Sequence, residues 1–214
     1  MIPTVITTVV GPFQENCYLL GFDDREQSAL IVDPGAESER IAQELDSRGW
    51  LPKAILNTHG HLDHIGAVAN LQDRYGIPFY LQGEERPVLE SYPDTCRMFG
   101  LTPSQPPTVD RWLNSDDRIR FPFGEIRVLF TPGHTPGSCL FLIGNLGFTG
   151  DTVFAGSVGR TDLPGGNYET LQASLVRILH ALPDETALYP GHGPQTTLKD
   201  EKRQNPFLRP LVLQ

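Results

Sequence analysis

Residues 56–66 read LNTHGHLDHIG and place His59, His61, Asp63 and His64 within six positions, in a chain that has six histidines in all. Imidazole nitrogens and carboxylate oxygens at such close spacing are the donor set of zinc, iron or manganese sites, with no thiolate required. In an extended segment residues two apart point the same way, so His59 and His61 can converge on one ion. Asp63 and His64 follow where the chain turns towards a helix, and can face a second ion beside the first. Three more donors stand further on, each at the end of an apolar run and beside Gly or Pro: His134 in TPGHTPG, Asp151 in FTGD and His192 in YPGHG. Small neighbours let the backbone bend and leave room around a ligand. Seven donors exceed one four-coordinate zinc site and suit two divalent ions sharing a carboxylate. A structural site would be closed and commonly Cys-rich, which this set is not. The sixth histidine, His180, lies near the end of an expected helix, where a charge–dipole contact accounts for it.

The elements that must position these residues are short. TVITTVV, NCYLLGF and SALIVD read as three successive strands, and ESERIAQELDSRGW as an amphipathic helix closed by Gly49. KAILNT is an apolar strand running into the histidine cluster. One helix is expected through HIGAVANLQDRYG, closed by Gly76, and then the strand PFYLQ. Residues 84–117, rich in Pro and polar groups, hold a helix or two within a long connection that is either a surface insertion or part of the site. Strand character returns in EIRVLFTP, SCLFLIG and LGFTGD, followed by the Gly-rich FAGSVGRTDLPGG, the helix YETLQASLVRILHALP, the strand TALYPGHG and a tail that starts helical. Two strand-rich halves with interspersed helices predict an α/β fold of two sheets packed face to face, with helices outside. No linker divides the chain, so residues 1–214 are expected to be a single domain.

Composition narrows the function. A net charge of −9 with no basic run argues against a nucleic-acid partner. MIPTVITTVV lacks the basic start of a signal peptide, and no apolar stretch is long enough to span a bilayer. Cys17, Cys96 and Cys139 are scattered and odd in number, which predicts reduced packing residues and a cytoplasmic protein.

THGHLDH, with PGHTPG, TGD and PGHG, resembles the metallo-β-lactamase superfamily over nearly the whole chain. The resemblance implies a four-layer αββα sandwich with its metals at one sheet edge. Aspartate rather than cysteine at 151 is similar to glyoxalase II, and RMFGL, DRWLN, GSVGRTDLPGG and NPFL look most like the short bacterial glyoxalase II-like hydrolases. By that likeness His59, His61 and His134 hold one metal, Asp63, His64 and His192 a second, and Asp151 bridges them, with Asp63 and Asp151 as the catalytic carboxylates. Two ions, zinc foremost with iron or manganese compatible, would generate a bridging hydroxide that attacks a glutathione thioester such as S-lactoylglutathione. Arg160 stands where the family places a basic residue facing glutathione, and by that likeness it binds the substrate; a solvated loop charge is the alternative. Asp33 in DPG is either an orienter of the metal loop or a turn former. The chain departs from the longer glyoxalase II enzymes in two ways. Only 22 residues follow His192, too few for their C-terminal glutathione-binding helical domain, and Asp162 and Pro194 stand where those enzymes carry tyrosines. Persulfide dioxygenases of the same fold use one iron, which His59, His134 and Asp151 could hold. A tRNA-processing nuclease and a non-catalytic metal module are the further alternatives.

Overall fold

A computed structural model describes residues 1–212. The first half of the chain builds one six-stranded sheet from β1 (Thr4–Val10), β2 (Glu15–Gly21), β3 (Ser28–Val32), β4 (Leu51–Leu56), β5 (Phe79–Gln82) and β6 (Arg111–Leu113), paired in that order. The second half supplies β7 (Arg118–Phe121), β8 (Gly124–Phe130), β9 (Cys139–Ile143), β10 (Leu146–Gly150), the ribbon β11 (Val153–Phe154) and β12 (Ser157–Val158), then β13 (Ala187–Pro190) and β14 (Thr196–Thr197). Its six-stranded sheet has the order β14-β13-β10-β9-β8-β7. The helices are α1 (Ser38–Ser47), α2 (Leu62–Ile65), α3 (Val68–Tyr75), α4 (Arg86–Glu90), α5 (Tyr92–Met98), α6 (Tyr168–Ala181), α7 (Leu198–Gln204) and α8 (Arg209–Val212).

Side-chain alternation turns these sheets into layers. On β2, β3 and β4, Leu19, Ile31 and Ile55 face outward and pack with Ile41, Leu45, Val68 and Leu71 of α1 and α3. Their neighbours Leu20, Leu30 and Leu56 face inward, against Val128, Phe141 and Phe148 of the second sheet. On the far side of that sheet Leu140, Leu142 and Leu188 pack against Leu171, Leu175 and Ile178 of α6. Helices, sheet, sheet and helices therefore stack as the αββα sandwich expected from the sequence. Burial on both faces explains why SALIV is an unbroken apolar run rather than an alternating one.

The expected helix through residues 64–76 is divided. Gly66 lies so close to Pro34–Gly35 that a Cβ there would come within 2.4 Å of the Gly35 carbonyl. The Ala67 N–H bonds to Pro34 O (3.0 Å) instead of to the preceding turn. Residues 84–117 are part helix (α4, α5), part irregular, and include the edge strand β6. Cys17, Cys96 and Cys139 are all buried and free. Among the described residues, no helix is long and apolar enough to cross a membrane.

Candidate metal centre

Parallel pairing aims the relevant strand ends at one edge of the sandwich. β3 and β4 are parallel neighbours in the first sheet, and β10 and β13 in the second. Asp33 and His59 leave the first pair, Asp151 and His192 the second, and His134 sits in the loop from β8 to β9. The His61 carbonyl accepts from His64 N (3.0 Å) and Ile65 N (3.2 Å), which starts α2 and swings Asp63 and His64 away from His59 and His61. Asn57 Nδ2 donates to His64 O (2.7 Å) and fastens that turn to the end of β4.

All seven predicted donors converge. His59, His61 and His134 form one group and Asp63, His64 and His192 another, and His59, His64 and Asp151 a third that links them, with ligand atoms within 4.8 Å of one another in each. Asp151 faces both halves: Oδ2 lies 3.6 Å from His134 Nε2 and 3.6 Å from His192 Nε2, and Oδ1 lies 3.4 Å from His64 Nε2. His192 Nε2 is 3.3 Å from Asp63 Oδ2. These separations exceed an ordinary hydrogen bond, yet two atoms each about 2.0–2.1 Å from a tetrahedral ion stand about 3.3–3.4 Å apart. The tighter pair is His134 Nε2 and His61 Nδ1, at 2.9 Å. His59 Nε2, His64 Nε2 and Asp151 Oδ1 are buried without a hydrogen-bond partner among the described residues. Buried polar atoms left so are costly, and a shared cation is what this donor chemistry fits.

The electrostatics divide the donors. Burial, with His64 and His134 nearby, holds His59 well below the usual imidazole range. Burial beside His134 pulls His61 down to about 4. Both are thereby kept neutral, the form that binds metal. Burial also disfavours the charged form of His64, but Asp151 and Asp63 outweigh it and raise that imidazole. Asp63 and Asp151, although buried, are held below the ordinary carboxylate range mainly by His64.

A surrounding shell fixes the rings. The Arg160 carbonyl lies 2.7 Å from His134 Nδ1 and so turns Nε2 towards the cluster. Asp33 accepts from Thr58 N and Thr58 Oγ1 (both 2.7 Å), lies 3.2 Å from His64 Nδ1 and has φ +50°. It is thus both the turn former and the orienter that the sequence left open. Glycine is required where the backbone touches the donors: a Cβ on Gly191 would fall 2.3 Å from Asp151 Oδ1, and one on Gly159 1.9 Å from Asp151 O.

Three contributors escaped the sequence reading. Glu85, fully buried, accepts from Gly60 N (2.7 Å), Thr135 Oγ1 (2.6 Å) and Gly137 N (2.6 Å), so one carboxylate clamps the His59–His61 loop to the His134 loop. Burial raises this carboxyl and those three donors pull it back. Asn16 on β2 donates through Nδ2 to Pro190 O (2.9 Å) and Gly193 O (2.8 Å), bracketing His192. Glu15 is buried beside His64, 3.9 Å from Nδ1, and burial raises its carboxyl well above the usual range. Nothing local marks any of the three.

The cluster opens into a cavity of about 420 Å³ lined by Phe13, Leu62, Phe99, Phe154 and Leu163, with Arg160 at its wall. The Arg160 guanidinium does not face it unengaged: Nε and Nη2 donate to the two oxygens of Asp162, both at 2.7 Å.

The family model described as metallo-beta-lactamase superfamily matches residues 10–192. The chain belongs to the metallo-beta-lactamase superfamily. Hydroxyacylglutathione hydrolase GloC of Haemophilus influenzae is 42% identical over 203 residues, covering 93% of this chain and 95% of its own. Among solved structures, TTHA1623 in a di-iron-bound form is 43% identical, with TM-score 0.87 over 95% of this chain and 100% of its own. ETHE1 from Myxococcus xanthus is 27% identical, with TM-score 0.79 over 98% of this chain and 90% of its own. As a metallo-hydrolase of this superfamily, the chain carries histidine and aspartate groups placed for divalent metal at one end of its sandwich.

Proposed function

We propose that this metallo-beta-lactamase-superfamily chain is a dinuclear thioester hydrolase of the glyoxalase II kind, acting on small thioesters with S-lactoylglutathione as the first substrate to test. The observation that carries it is the pair of three-donor groups joined by one carboxylate, Asp151. In this reading His59, His61 and His134 hold one ion, Asp63, His64 and His192 the other, and Asp151 both. The GloC relative supports the substrate class, and the di-iron form of TTHA1623 supports two ions and leaves zinc, iron and manganese as choices.

When bound, two divalent ions acidify water near neutral pH and polarise a carbonyl oxygen. The chain's own groups do the rest. Asp63 and Asp151, whose carboxylates face His192 and the histidines of both groups, would hold and orient the attacking water beside the ions. The water oxygen forms the new C–O bond as the C–S bond breaks, giving a carboxylate and a thiol. A thiolate whose conjugate acid has a pKa of about 8.5 departs without a dedicated acid, which accounts for the absence of any need for a Ser–His–Asp set. Three buried free thiols fit a reducing compartment, and we place the protein in the cytoplasm.

The test is metal content per chain measured beside S-lactoylglutathione hydrolysis and oxygen uptake with glutathione persulfide. Two ions per chain with thioester turnover is the expected result. One iron per chain with oxygen consumption would replace it by the mononuclear persulfide dioxygenase, the reading to which the ETHE1 neighbour lends weight.

A further inference from the structure

Apart from the donor residues, Thr95 and Arg160, what lines the site is apolar. The 420 Å³ cavity in front of Asp151 is walled by Phe13, Leu62, Phe99, Phe154, Val158 and Leu163. A second cavity of about 230 Å³ shares His61, Thr95, Phe99 and Leu163 with it and continues between Val88, Met98 and Pro136. Among the described residues the second cavity is lined by no Asp, Glu, Lys or Arg. Met98 ends α5 and Phe99 follows it; they stay 79% and 46% exposed, and the Phe99 ring meets Phe13 edge-on at 5.5 Å between centroids. The 84–117 segment, which supplies no donor atom to the cluster, thus supplies one wall of two adjoining, mainly apolar cavities.

Cations are scarce along it. Among the described residues Arg160 is the one Lys or Arg lining either cavity, and its charge is already matched by the two oxygens of Asp162. The third cavity bordering Asp63 adds Glu37 rather than a cation. A glutathione moiety brings two carboxylates, and no unpaired cation stands on these walls to receive them.

We propose that the substrate of this site is a thioester carrying an apolar acyl or aryl-acyl group, seated in the cavity walled by Phe13, Phe99 and Leu163, and that the glutathionyl group is not itself recognised. This rests on the thioesterase reading above. The apolar group enters between Phe99 and Leu163 and brings the thioester carbonyl to Asp63 and Asp151. Selectivity then comes from burial of methylenes, and each one desolvated in the cavity raises kcat/KM about two- to fourfold.

The test compares acetyl, butyryl, hexanoyl and phenylacetyl thioesters on two thiols, uncharged N-acetylcysteamine and glutathione, with the metal-loaded enzyme. Calorimetry on the same protein measures binding of S-hexyl-N-acetylcysteamine and S-methylglutathione, which cannot be hydrolysed. The expected result is at least a tenfold rise in kcat/KM from acetyl to hexanoyl on both thiols and no advantage for glutathione. S-hexyl-N-acetylcysteamine binds at least tenfold tighter than S-methylglutathione. In Phe99→Ala the hexanoyl-to-acetyl ratio falls at least fivefold. A flat acyl series, or glutathione thioesters better by tenfold or more, would overturn the proposal while leaving the hydrolase reading standing. No turnover of any thioester, with the hexyl preference in binding retained, would sink the hydrolase reading instead.

Discussion

Replacing Glu85 by glutamine tests whether one buried carboxylate holds the two histidine loops together. The carboxylate has three donors: Oε2 takes Gly60 N, and Oε1 takes Thr135 Oγ1 and Gly137 N. Glutamine keeps one acceptor oxygen. If that oxygen serves Thr135 and Gly137, the new amide NH₂ meets the Gly60 N–H, donor against donor, in a site closed to water. One charge-assisted hydrogen bond is lost and one buried donor left unsatisfied, a cost of about 2–3 kcal/mol. For a domain of this size that is a fall in Tm of roughly 5–10 °C. Gly60 lies between His59 and His61, so the loop that carries both rings loosens, and metal affinity falls by about 10- to 100-fold, the usual effect of losing an outer orienting group. Thr135→Val removes one of the three donors from the same carboxylate and costs about 1 kcal/mol, giving a graded series. Thermal melts with and without metal, and competitive metal titration, read both quantities. An Glu85→Gln protein with wild-type Tm and wild-type metal affinity would refute the clamp.

Asp151→Ala removes the carboxylate that faces both donor groups; metal content falls below two ions per chain by elemental analysis and hydrolysis drops at least a thousandfold, and retained activity would exclude a shared carboxylate. Gly191→Ala drives a methyl into Asp151 and His64, so it disturbs metal content more than secondary structure by circular dichroism. Arg160→Ala changes KM for S-lactoylglutathione by less than about threefold because Asp162 already matches the charge, whereas Asp162→Ala frees the guanidinium and lowers that KM; a tenfold rise in Arg160→Ala would contradict this. Arg160 pulls the Asp162 carboxyl down to about 2. A depressed carboxylate keeps its pair above the ordinary range and loses it only as pH falls through the lowered value. KM for an anionic thioester therefore shows no Asp162 inflection between about pH 5 and 8.

The donor set was legible because its information is local. His59, His61, Asp63 and His64 share one loop, and the Gly and Pro beside His134, Asp151 and His192 mark strand ends. The layers were legible too, since SALIV and CLFLI carry burial on both faces in their own residues. What stayed hidden depends on partners distant in sequence. Glu85 reaches Gly60 and Gly137, 25 and 52 positions away, and a glutamate in GEERP looks like any solvated charge. The division between α2 and α3 arises from Pro34 and Gly35, which no helical periodicity records. Arg160 shows a third limit: its place beside the site was foreseen, but Asp162, two residues on, takes up its charge.

The two sheets contribute unequally to the cluster: His59, His61, Asp63 and His64 follow β4 of the first, while His134, Asp151 and His192 follow strands of the second. Any ion shared by His59 and His134 is thus a cross-link between the halves of the sandwich. Parting those halves would cost that ion its ligands, although the cavity gives it a separate way out. The contacts joining the halves are long-range, and their loop-closure cost predicts that they form late in folding. A metal seated there lengthens the lifetime of the folded state more than it speeds its formation.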